Sequence, residues 1–350
     1  MPQPKLLCNT KDMSRERWLE CRKHGPDGKI PFTLGGSDIA TIFGINPWKT
    51  PLELFMEKRD LLAPNDEENA KQKALGHFLE PVVAHVFAMQ TQSEIIEDYG
   101  LYQHAEYPFA LANIDYLCRQ QAADEMILEC KSTTYHKAAD YSNGRFPIHY
   151  ELQVRFYQDV RQYEIGQLAC LWGNNPDTDF VYRTIHYNKQ INQEIFDGAQ
   201  EFIHRLENND PPPMEGVPSK LAIKALNRIY DSVRDNPPVE FSAVHEPALR
   251  KIVELQNRKA EMKRQMDALT NSIEELSIPF RELLKENAHG KLSIPNGSIL
   301  VDFSQQAKRL VDTKKLQKEY PDVYKEVQKV SVSRPFKVKC YEAKRKTGVL

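Results

Sequence analysis

Residues Met126–Ser132 read Met-Ile-Leu-Glu-Cys-Lys-Ser, a short apolar run that ends in Glu129-Cys130-Lys131. Side chains of an extended strand alternate between two faces, so Glu129 and Lys131 point one way while Leu128 and Cys130 pack the other way. Asp115 comes fourteen positions before Glu129 and can reach the same place from a neighbouring strand. The stretch therefore predicts a sheet with two carboxylates and an ammonium at one strand end.

Such a set of side chains is suited to hydrolysing a phosphodiester with a bound divalent metal. Mg²⁺ takes oxygen ligands and usually binds through one or two carboxylates plus substrate phosphate. The metal polarises the phosphate and lowers the pKa of a bound water, while Lys131 can hold that water or the developing charge. Cys130 is interpreted as a packed thiol whose backbone carbonyl can also coordinate the metal. Because Glu-x-Lys also occurs on the solvated faces of many strands, the motif alone is weak.

Three further stretches strengthen it. Glu80 interrupts an apolar helical segment, as a metal ligand or as an ordinary solvated glutamate. Ser37 follows two glycines at a predicted helix start, which is either an anion site or a plain N-cap. Gln153 and Tyr157 are four residues apart and share one helix face, either beside the site or packed on the sheet.

These motifs resemble, in this order, the YqaJ-like viral recombinase family, the lambda-type exonuclease branch of the PD-(D/E)XK nucleases. The resemblance runs from about Ser14 to Trp172. Six ordered blocks carry it: Gly35-Gly-Ser-Asp-Ile-Ala, Asn46-Pro-Trp-Lys-Thr-Pro-Leu-Glu-Leu, Gly76-His-Phe-Leu-Glu-Pro, Leu111-Ala-Asn-Ile-Asp, Leu128-Glu-Cys-Lys and Gln153-x-x-x-Tyr. It implies an α/β, restriction-endonuclease-like core in which a small mixed central sheet is flanked by helices, with a C-terminal helical and basic extension.

The same resemblance implies the site and its chemistry. Asp115, Glu129 and Glu80 would bind Mg²⁺, with Mn²⁺ as a substitute. Lys131 would be catalytic, and Gln153 and Tyr157 would border the active site. The expected activity is resection of linear double-stranded DNA, 5′ to 3′, which leaves 3′ single strands for phage-type recombination. Two alternatives remain open: an endonuclease of the same superfamily in restriction or repair, and a non-catalytic DNA-binding scaffold.

The resemblance also implies how a DNA end is held and which partners take part. In the family, a serine that matches Ser37 and an upstream arginine bind the 5′-phosphate. Arg22 is the best counterpart, but the insertion Gly25–Thr33 puts it in question, with Lys23 or Lys29 as substitutes. The expected partners are DNA ends, a single-strand annealing protein and further copies of the chain in a ring. The expected location is the cytoplasm of a bacterial host, with a phage or mobile-element origin.

Composition agrees with this interpretation. The six cysteines are scattered without Cys-x-x-Cys pairs, which favours reduced thiols and argues against structural zinc or an iron–sulfur cluster. The sequence contains no apolar run near the roughly 18 residues that a membrane-spanning helix needs, and no signal-peptide pattern at its start.

Charge is divided unevenly along the chain, whose formal net charge is −2. Residues 303–350 carry 13 Lys or Arg against 5 Asp or Glu, a net charge of +8, so residues 1–302 carry −10. Tyr320, Tyr324 and Phe336 are interleaved with these charges. The basic tail is interpreted as a phosphate-contacting surface, with a solvated helix as the alternative.

Three segments are predicted: a nuclease core over 1–210, a heptad-patterned helical segment over 211–290 and a basic extension over 291–350. Asn208 and Pro211–Pro213 mark the first boundary, since proline cannot continue a helix. From Ile252 to Leu276, apolar residues recur in steps of three and four, interrupted only by Lys259. This heptad seam predicts either an intramolecular helical hairpin, which is slightly favoured, or a contact between subunits.

Secondary structure is predicted along the rest of the chain. Helices are expected at Ser14–His24, Ile39–Gly44, Pro51–Arg59, Gln72–Thr91 and around Gln153. Strands are expected at Ile95–Leu101, Phe109–Leu117, Met126–Cys130, Gln167–Trp172 and Phe180–His186. A β-hairpin around Asn296-Gly297 and a basic helix from Asp312 to Lys329 are expected near the end of the chain.

Overall fold

The structure is a computed structural model that describes residues 3–64, 70–120, 124–230, 237–308, 310–328, 336 and 338. It divides into two compact units, Met1–Val233 and Arg234–Leu350. Among the described residues, no helix is both long enough and apolar enough to cross a membrane.

Two small sheets form the centre of the first unit. The strands are β1 (Lys5–Asn9), β2 (Leu34–Gly35), β3 (Glu94–Glu97), β4 (Gly100–Gln103), β5 (Ala110–Ala112), β6 (Tyr116–Arg119), β7 (Met126–Ser132), β8 (Ile165–Leu171) and β9 (Phe180–His186). One sheet has the order β3-β6-β7-β8-β9 and the other β1-β4-β5-β2. In the five-stranded sheet only β7 and β8 run parallel. The predicted α/β class, with small mixed sheets flanked by helices, is confirmed.

Helices cover the sheets. They are α1 (Arg15–His24), α2 (Gly36–Ile42), α3 (Pro51–Lys58), α4 (Ala70–Thr91), α5 (Ile148–Arg161), α6 (Lys189–Asn208) and α7 (Ser219–Ile229), with a 3₁₀ segment at Tyr135–Gly144. Ser14 caps α1 as predicted, because its hydroxyl accepts a hydrogen bond from the backbone N–H of Arg17. Neither α6 nor α7 was among the predicted helices.

The two faces of β7 belong to two different cores. Met126, Leu128 and Cys130 pack with Val83 and Phe87 of α4. Ile127 faces the other core, where Phe156 of α5 stacks on Phe196 of α6 with ring centroids 5.2 Å apart. The helix α5 also supplies the crossover that the parallel pair β7–β8 requires. Glu129 and Lys131 therefore lie on the α5 side of the sheet, as the strand alternation predicts.

Two predicted strands are wrong in extent, because each is split between the two sheets. Ile95–Leu101 is divided at Asp98, whose carboxylate accepts from the backbone N–H of Gly100 at 2.8 Å and pairs with Arg161 at 2.7 Å. Phe109–Leu117 is divided between β5 and β6 at residues 113–115. Asp115 thereby lies just outside the strand ladder, with its side chain free to enter the site.

The first unit continues past residue 210. Helix α6 ends at Asn208, with Asn209 in the left-handed conformation as its C-cap. Helix α7 follows, and the Arg228 guanidinium lies 3.1 Å from a carboxylate oxygen of Glu53 and of Glu57 in α3.

The second unit contains one long helix, α8 (Glu246–Leu284), then a hairpin of β10 (His289–Ile294) and β11 (Gly297–Asp302). The predicted hairpin around Asn296-Gly297 is present, with Pro295 and Asn296 as its turn and Gly297 as the first residue of β11. The predicted basic helix is instead two short ones, α9 (Thr313–Glu319) and α10 (Pro321–Val327), because Pro321 cannot donate the hydrogen bond that a continuous helix needs. Lys329 and most of the tail beyond it lie outside the described residues.

The favoured intramolecular helical hairpin is wrong for the described residues of this unit. They contain no second helix of comparable length to lie along α8, and the apolar seam residues from Leu255 to Leu276 are exposed.

Candidate active site

Glu129 lies at the centre of the candidate site and is only 1% exposed. Its Oε1 accepts hydrogen bonds from Lys131 Nζ and Gln153 Nε2, both at 2.5 Å. Its Oε2 is also buried, and it has no hydrogen-bond partner among the described residues. A buried carboxylate oxygen without a partner is costly unless a cation or a donor reaches it.

Asp115 reaches Glu129 from the start of β6. Its Oδ2 accepts from the backbone N–H of Cys130 at 2.8 Å, which fixes the carboxylate beside the strand that carries Glu129. Burial, followed by the negative charge of Glu129, raises the pKa of Asp115 well above its usual range, and Lys131 opposes this shift. The two carboxylates therefore repel each other across a partly desolvated space.

Glu80 approaches the same space from α4. Its carboxylate is 27% exposed and accepts from His77 Nδ1 at 2.8 Å, one helical turn away. The negative charge of Glu80 also raises the pKa of Asp115 and of Glu129, although burial is the larger cause in both cases. Within the described residues, however, no three His, Cys, Asp or Glu side chains are arranged closely enough to enclose a metal ion.

The residues present nevertheless suit a hard divalent cation. The charges of Asp115, Glu129 and Glu80 act on one another, one Glu129 oxygen lacks a partner among the described residues, and the repulsion would fall when a cation bound. The Cys130 thiol is not part of this set. It packs against α4, and burial followed by the charge of Asp115 raises its pKa, so it remains an inert thiol at neutral pH.

Arg22 lies next to Ser37 despite the insertion between them. Arg22 Nη2 donates to Ser37 Oγ at 3.2 Å, and the guanidinium lies 4.6 Å from the centre of the Trp18 ring. The two ends of the predicted loop Gly25–Thr33 lie close together, because Thr33 Oγ1 donates to the carbonyls of Arg22 and Lys23. The proposed substitutes have other partners, since Lys23 pairs with Asp60 and Lys29 with Asp27.

Two glycines allow this approach. A Cβ atom on Gly35 would lie 2.3 Å from Arg22 Nη2, and one on Gly36 would lie 2.7 Å from the Tyr157 ring and 2.9 Å from Gln153. Gly35 therefore allows Arg22 of α1 to approach the turn, and Gly36 allows α2 to contact α5. The Gly35-Gly36-Ser37 turn thus connects the Arg22–Ser37 pair to α5, whose Gln153 donates a hydrogen bond to Glu129.

A comparison with protein-family models finds one match, over residues 17–164: the YqaJ-like viral recombinase domain. We call the part of the chain that matches this model, residues 17–164, the YqaJ-like domain. The resemblance seen in the sequence motifs is confirmed, and this domain contains every candidate site residue.

The YqaJ-like domain is accompanied by similarity over nearly the whole chain to one curated protein. The uncharacterized protein YqaJ of Bacillus subtilis (strain 168) is 28% identical over 337 residues, which cover 95% of this chain and 97% of that protein. Among solved structures, an alkaline exonuclease from Laribacter hongkongensis aligns with a TM-score of 0.43 at 16% identity, over 56% of this chain and 94% of its own. A phage-related exonuclease from Haemophilus somnus 129PT aligns with a TM-score of 0.39 at 12% identity, over 51% and 96%.

Asp38 of the YqaJ-like domain supports the Gly-Gly-Ser turn and was missed in the sequence. Its Oδ2 accepts from the backbone N–H of Gly35 at 3.0 Å and from Lys58 Nζ at 2.9 Å. Lys58 and Arg22 lower its pKa although burial opposes them, so Asp38 remains a carboxylate. The signal that could have revealed it is an acidic residue three positions after the helix cap, as in a capping box.

Aromatic rings of the YqaJ-like domain border Lys131 and were also missed. Lys131 Nζ lies 5.1 Å from the centre of the Tyr150 ring, and the His149 ring is 4.1 Å from Tyr150. Trp48, from the Asn-Pro-Trp motif, meets His149 edge-on at 5.1 Å. Burial, followed by the charge of Lys131, lowers the pKa of His149 to about 4, so this imidazole is neutral at pH 7.

Proposed function

We propose that the chain is a metal-dependent deoxyribonuclease that digests double-stranded DNA from an end. The observation that carries this proposal is the state of Glu129: one buried oxygen is bound by Lys131, and the other has no partner among the described residues, although the charges of Asp115 and Glu80 act on this carboxylate. A purely structural carboxylate would have both oxygens satisfied or would lie in water. The presence of a viral recombinase domain favours DNA as the substrate.

Asp115, Glu129 and Glu80 would hold the metal, with the Cys130 carbonyl as a further oxygen ligand. Mg²⁺ is the expected ion, with Mn²⁺ as a substitute, because all these ligands are hard oxygens. When bound, such an ion supplies charge stabilisation and an activated water at the phosphate.

The protein's own groups orient this chemistry. Lys131 keeps its ammonium at Glu129 and can hold the attacking water or the charge that develops on the phosphate. Gln153 fixes the Glu129 carboxylate, and its amide also donates to Tyr157 Oη at 3.3 Å. Burial raises the pKa of Tyr157, so its phenol stays neutral beside the carboxylates.

Ser37 and Arg22 are proposed to bind the 5′-phosphate of the strand that is digested. A hydroxyl and a guanidinium 3.2 Å apart offer several donors to one phosphate, which guanidinium groups bind strongly. Holding the 5′ end sets a 5′ to 3′ direction and leaves a 3′ single strand. That product is the substrate of a single-strand annealing protein, and a ring of several copies would keep the enzyme on its DNA.

The first test compares linear with closed circular duplex DNA, with Mg²⁺ and with EDTA. We expect linear DNA alone to be degraded, and only with the metal. Glu129→Gln and Lys131→Met should abolish cleavage but retain DNA binding, which depends mainly on phosphate contacts elsewhere. Glu94→Gln, which removes a carboxylate from an exposed ion pair, is the matched control. Cleavage of circles would indicate an endonuclease, and no cleavage of either DNA would indicate a binding scaffold.

The second test addresses the DNA end. Duplexes with 5′-phosphates should be digested faster than duplexes with 5′-hydroxyls. Ser37→Ala removes one hydrogen bond to a charged group, worth roughly 1.5–3 kcal/mol, so this preference should shrink about tenfold or more. Digestion of 5′-hydroxyl ends should hardly change. Equal rates on both ends in the unmodified protein would reduce Ser37 to a helix cap.

A further inference from the structure

Almost none of the apolar side chains that the structure describes in the second unit are buried. Within its described residues, Leu284 is the one hydrophobic side chain that is buried. The hairpin β10–β11 leaves Leu292, Ile299 and Leu300 exposed. A unit of this kind normally hides a contiguous apolar cluster, and a large exposed apolar patch marks an interaction surface.

A long exposed apolar surface runs along the seam of α8. Its positions are Ile252, Leu255, Met262, Met266, Leu269, Ile273, Leu276, Phe280 and Leu283, with Lys259 between the second and third. From Leu255 onward, these apolar side chains are 50–76% exposed. Their steps of three and four average 3.5 residues, which is the period that keeps a seam facing a partner helix. The helix is thus patterned for another helix.

We propose that the seam pairs with α8 of a second copy of this chain, in antiparallel orientation. A helix of 39 residues is about 58 Å long, and helices pack about 10 Å apart. A strip of that length and width on each copy buries roughly 1,200 Å² in total, which reaches the size of a stable protein interface. The proposal is independent of the nuclease activity, since no candidate site residue lies in α8.

Charge along the seam decides the orientation. A parallel pair would place Lys259 against the Lys259 of the second copy, and Arg258 beside its Lys263 on both sides. Three like-charge contacts would then lie within two turns. In an antiparallel pair centred at residue 264, one such contact remains, between the two copies of Lys263.

The antiparallel pairing also matches the apolar residues. Ile252 lies opposite the second copy's Leu276, Leu255 opposite its Ile273, and Met262 opposite its Met266. Lys259 lies opposite Leu269, where its aliphatic stem can pack while the ammonium reaches water. A single polar seam residue of this kind costs stability but specifies orientation.

The proposal is tested by the mass of the full chain in sedimentation equilibrium, relative to the 40.5 kDa of one copy. Met266→Glu with Ile273→Glu, each opposite an apolar side chain in this register, should halve the mass of the assembly. The dissociation constant should rise on the order of 10,000-fold, because the two substitutions remove four seam side chains from a dimer and each contributes about tenfold. Asn257→Glu with Asn271→Glu adds the same charge on the opposite face of α8 and should change nothing.

Circular dichroism separates loss of the interface from loss of the helix, because the seam variant should keep the helix content of the control. A chain that is monomeric at tens of micromolar, or a seam variant with unchanged mass, would overturn the proposal.

Orientation is tested by disulfide formation. The background replaces Cys8 and Cys340 with serine, since the other four thiols are buried. Ile252→Cys combined with Leu276→Cys should give covalent dimers on mild oxidation, and either change alone should not. Cross-linking by a single variant would overturn the antiparallel arrangement in favour of a parallel one, and no cross-linking of the double variant would refute the register.

Discussion

Replacing Lys131 with methionine should destabilise the metal-free protein by an amount that the structure sets. Glu129 is 1% exposed and Lys131 19% exposed, so their 2.5 Å pair is largely desolvated. Removing one partner of a buried pair leaves an uncompensated charge and costs roughly 3–5 kcal/mol. Because Lys131 is not fully buried, we expect the lower end, about 3 kcal/mol. In a unit of this size, that loss lowers Tm by about 6–12 °C.

The loss should depend on pH in a known direction. Burial already raises the pKa of Glu129 and Lys131 lowers it, so the variant's Glu129 has a still higher pKa. A carboxyl whose pKa is raised on folding is protonated in the folded state at low pH, and stability falls as pH rises through that pKa. The Tm difference from the unmodified protein should therefore be larger at about pH 8.5 than at about pH 5.5.

The assay is a thermal melt in EDTA, and then with Mg²⁺. Lys131→Met with Glu129→Gln removes both charges and should recover most of the loss. Mg²⁺ at about 100 times its Kd should add about 2.7 kcal/mol to the single variant. Lys137→Met, in an exposed pair 3.8 Å from Asp140, is the control and should change stability by less than about 0.5 kcal/mol. A Lys131→Met melt within about 2 °C of the unmodified protein at high pH would refute a buried charge pair.

Three other outcomes are expected. Gly36→Ala should lower the free energy of unfolding by about 1–3 kcal/mol, because the added methyl group meets the Tyr157 ring. Gly76→Ala in α4 should raise it by about 0.5–1 kcal/mol, since no atom lies within 4 Å of the added methyl group. Urea melts should show these opposite signs. His77→Ala should raise the metal concentration for half-maximal cleavage about tenfold and leave the rate at saturating metal unchanged. His85 is exposed, and His85→Ala should change neither quantity. An equal effect of both variants would contradict a role for His77 in holding Glu80. Deleting residues 303–350 should flatten the salt dependence of DNA binding by about one unit of slope per lost phosphate contact, and an unchanged slope would assign the basic tail another role.

Local patterns in the sequence were sufficient for the centre of the site. Alternation along β7 placed Glu129 and Lys131 on one face, and the hydroxyl of Ser14 predicted the start of α1. The strand Phe180–His186 and the break after Asn208 were likewise marked by nearby residues. These features depend on side chains within a few positions of each other.

Features that depend on distant residues were not accessible. The division of two predicted strands is enforced by the contact of Asp98 with Arg161, sixty-three positions later, and by Asn113, which accepts from Trp18 Nε1 at 2.9 Å. Arg22 was in question because an insertion of nine residues was expected to move it away from Ser37. The two ends of this loop instead lie close together, since Thr33 donates to the carbonyls of Arg22 and Lys23. The helical hairpin is wrong for the described residues because a heptad pattern predicts a partner helix without specifying which segment or chain provides it.

Arg228 has a consequence for how the chain can be divided. Its guanidinium lies against Glu53, which is 6% exposed, and Glu57, so a fragment that ends at the proline-rich break would strip a cation from two nearly buried carboxylates. Glu57 would keep Lys49, at 2.6 Å, but Glu53 would lose its arginine. Helix α7 therefore supplies the cation that these carboxylates need, and we expect a fragment that extends through Ile229 to be more stable than one that ends at the proline-rich break.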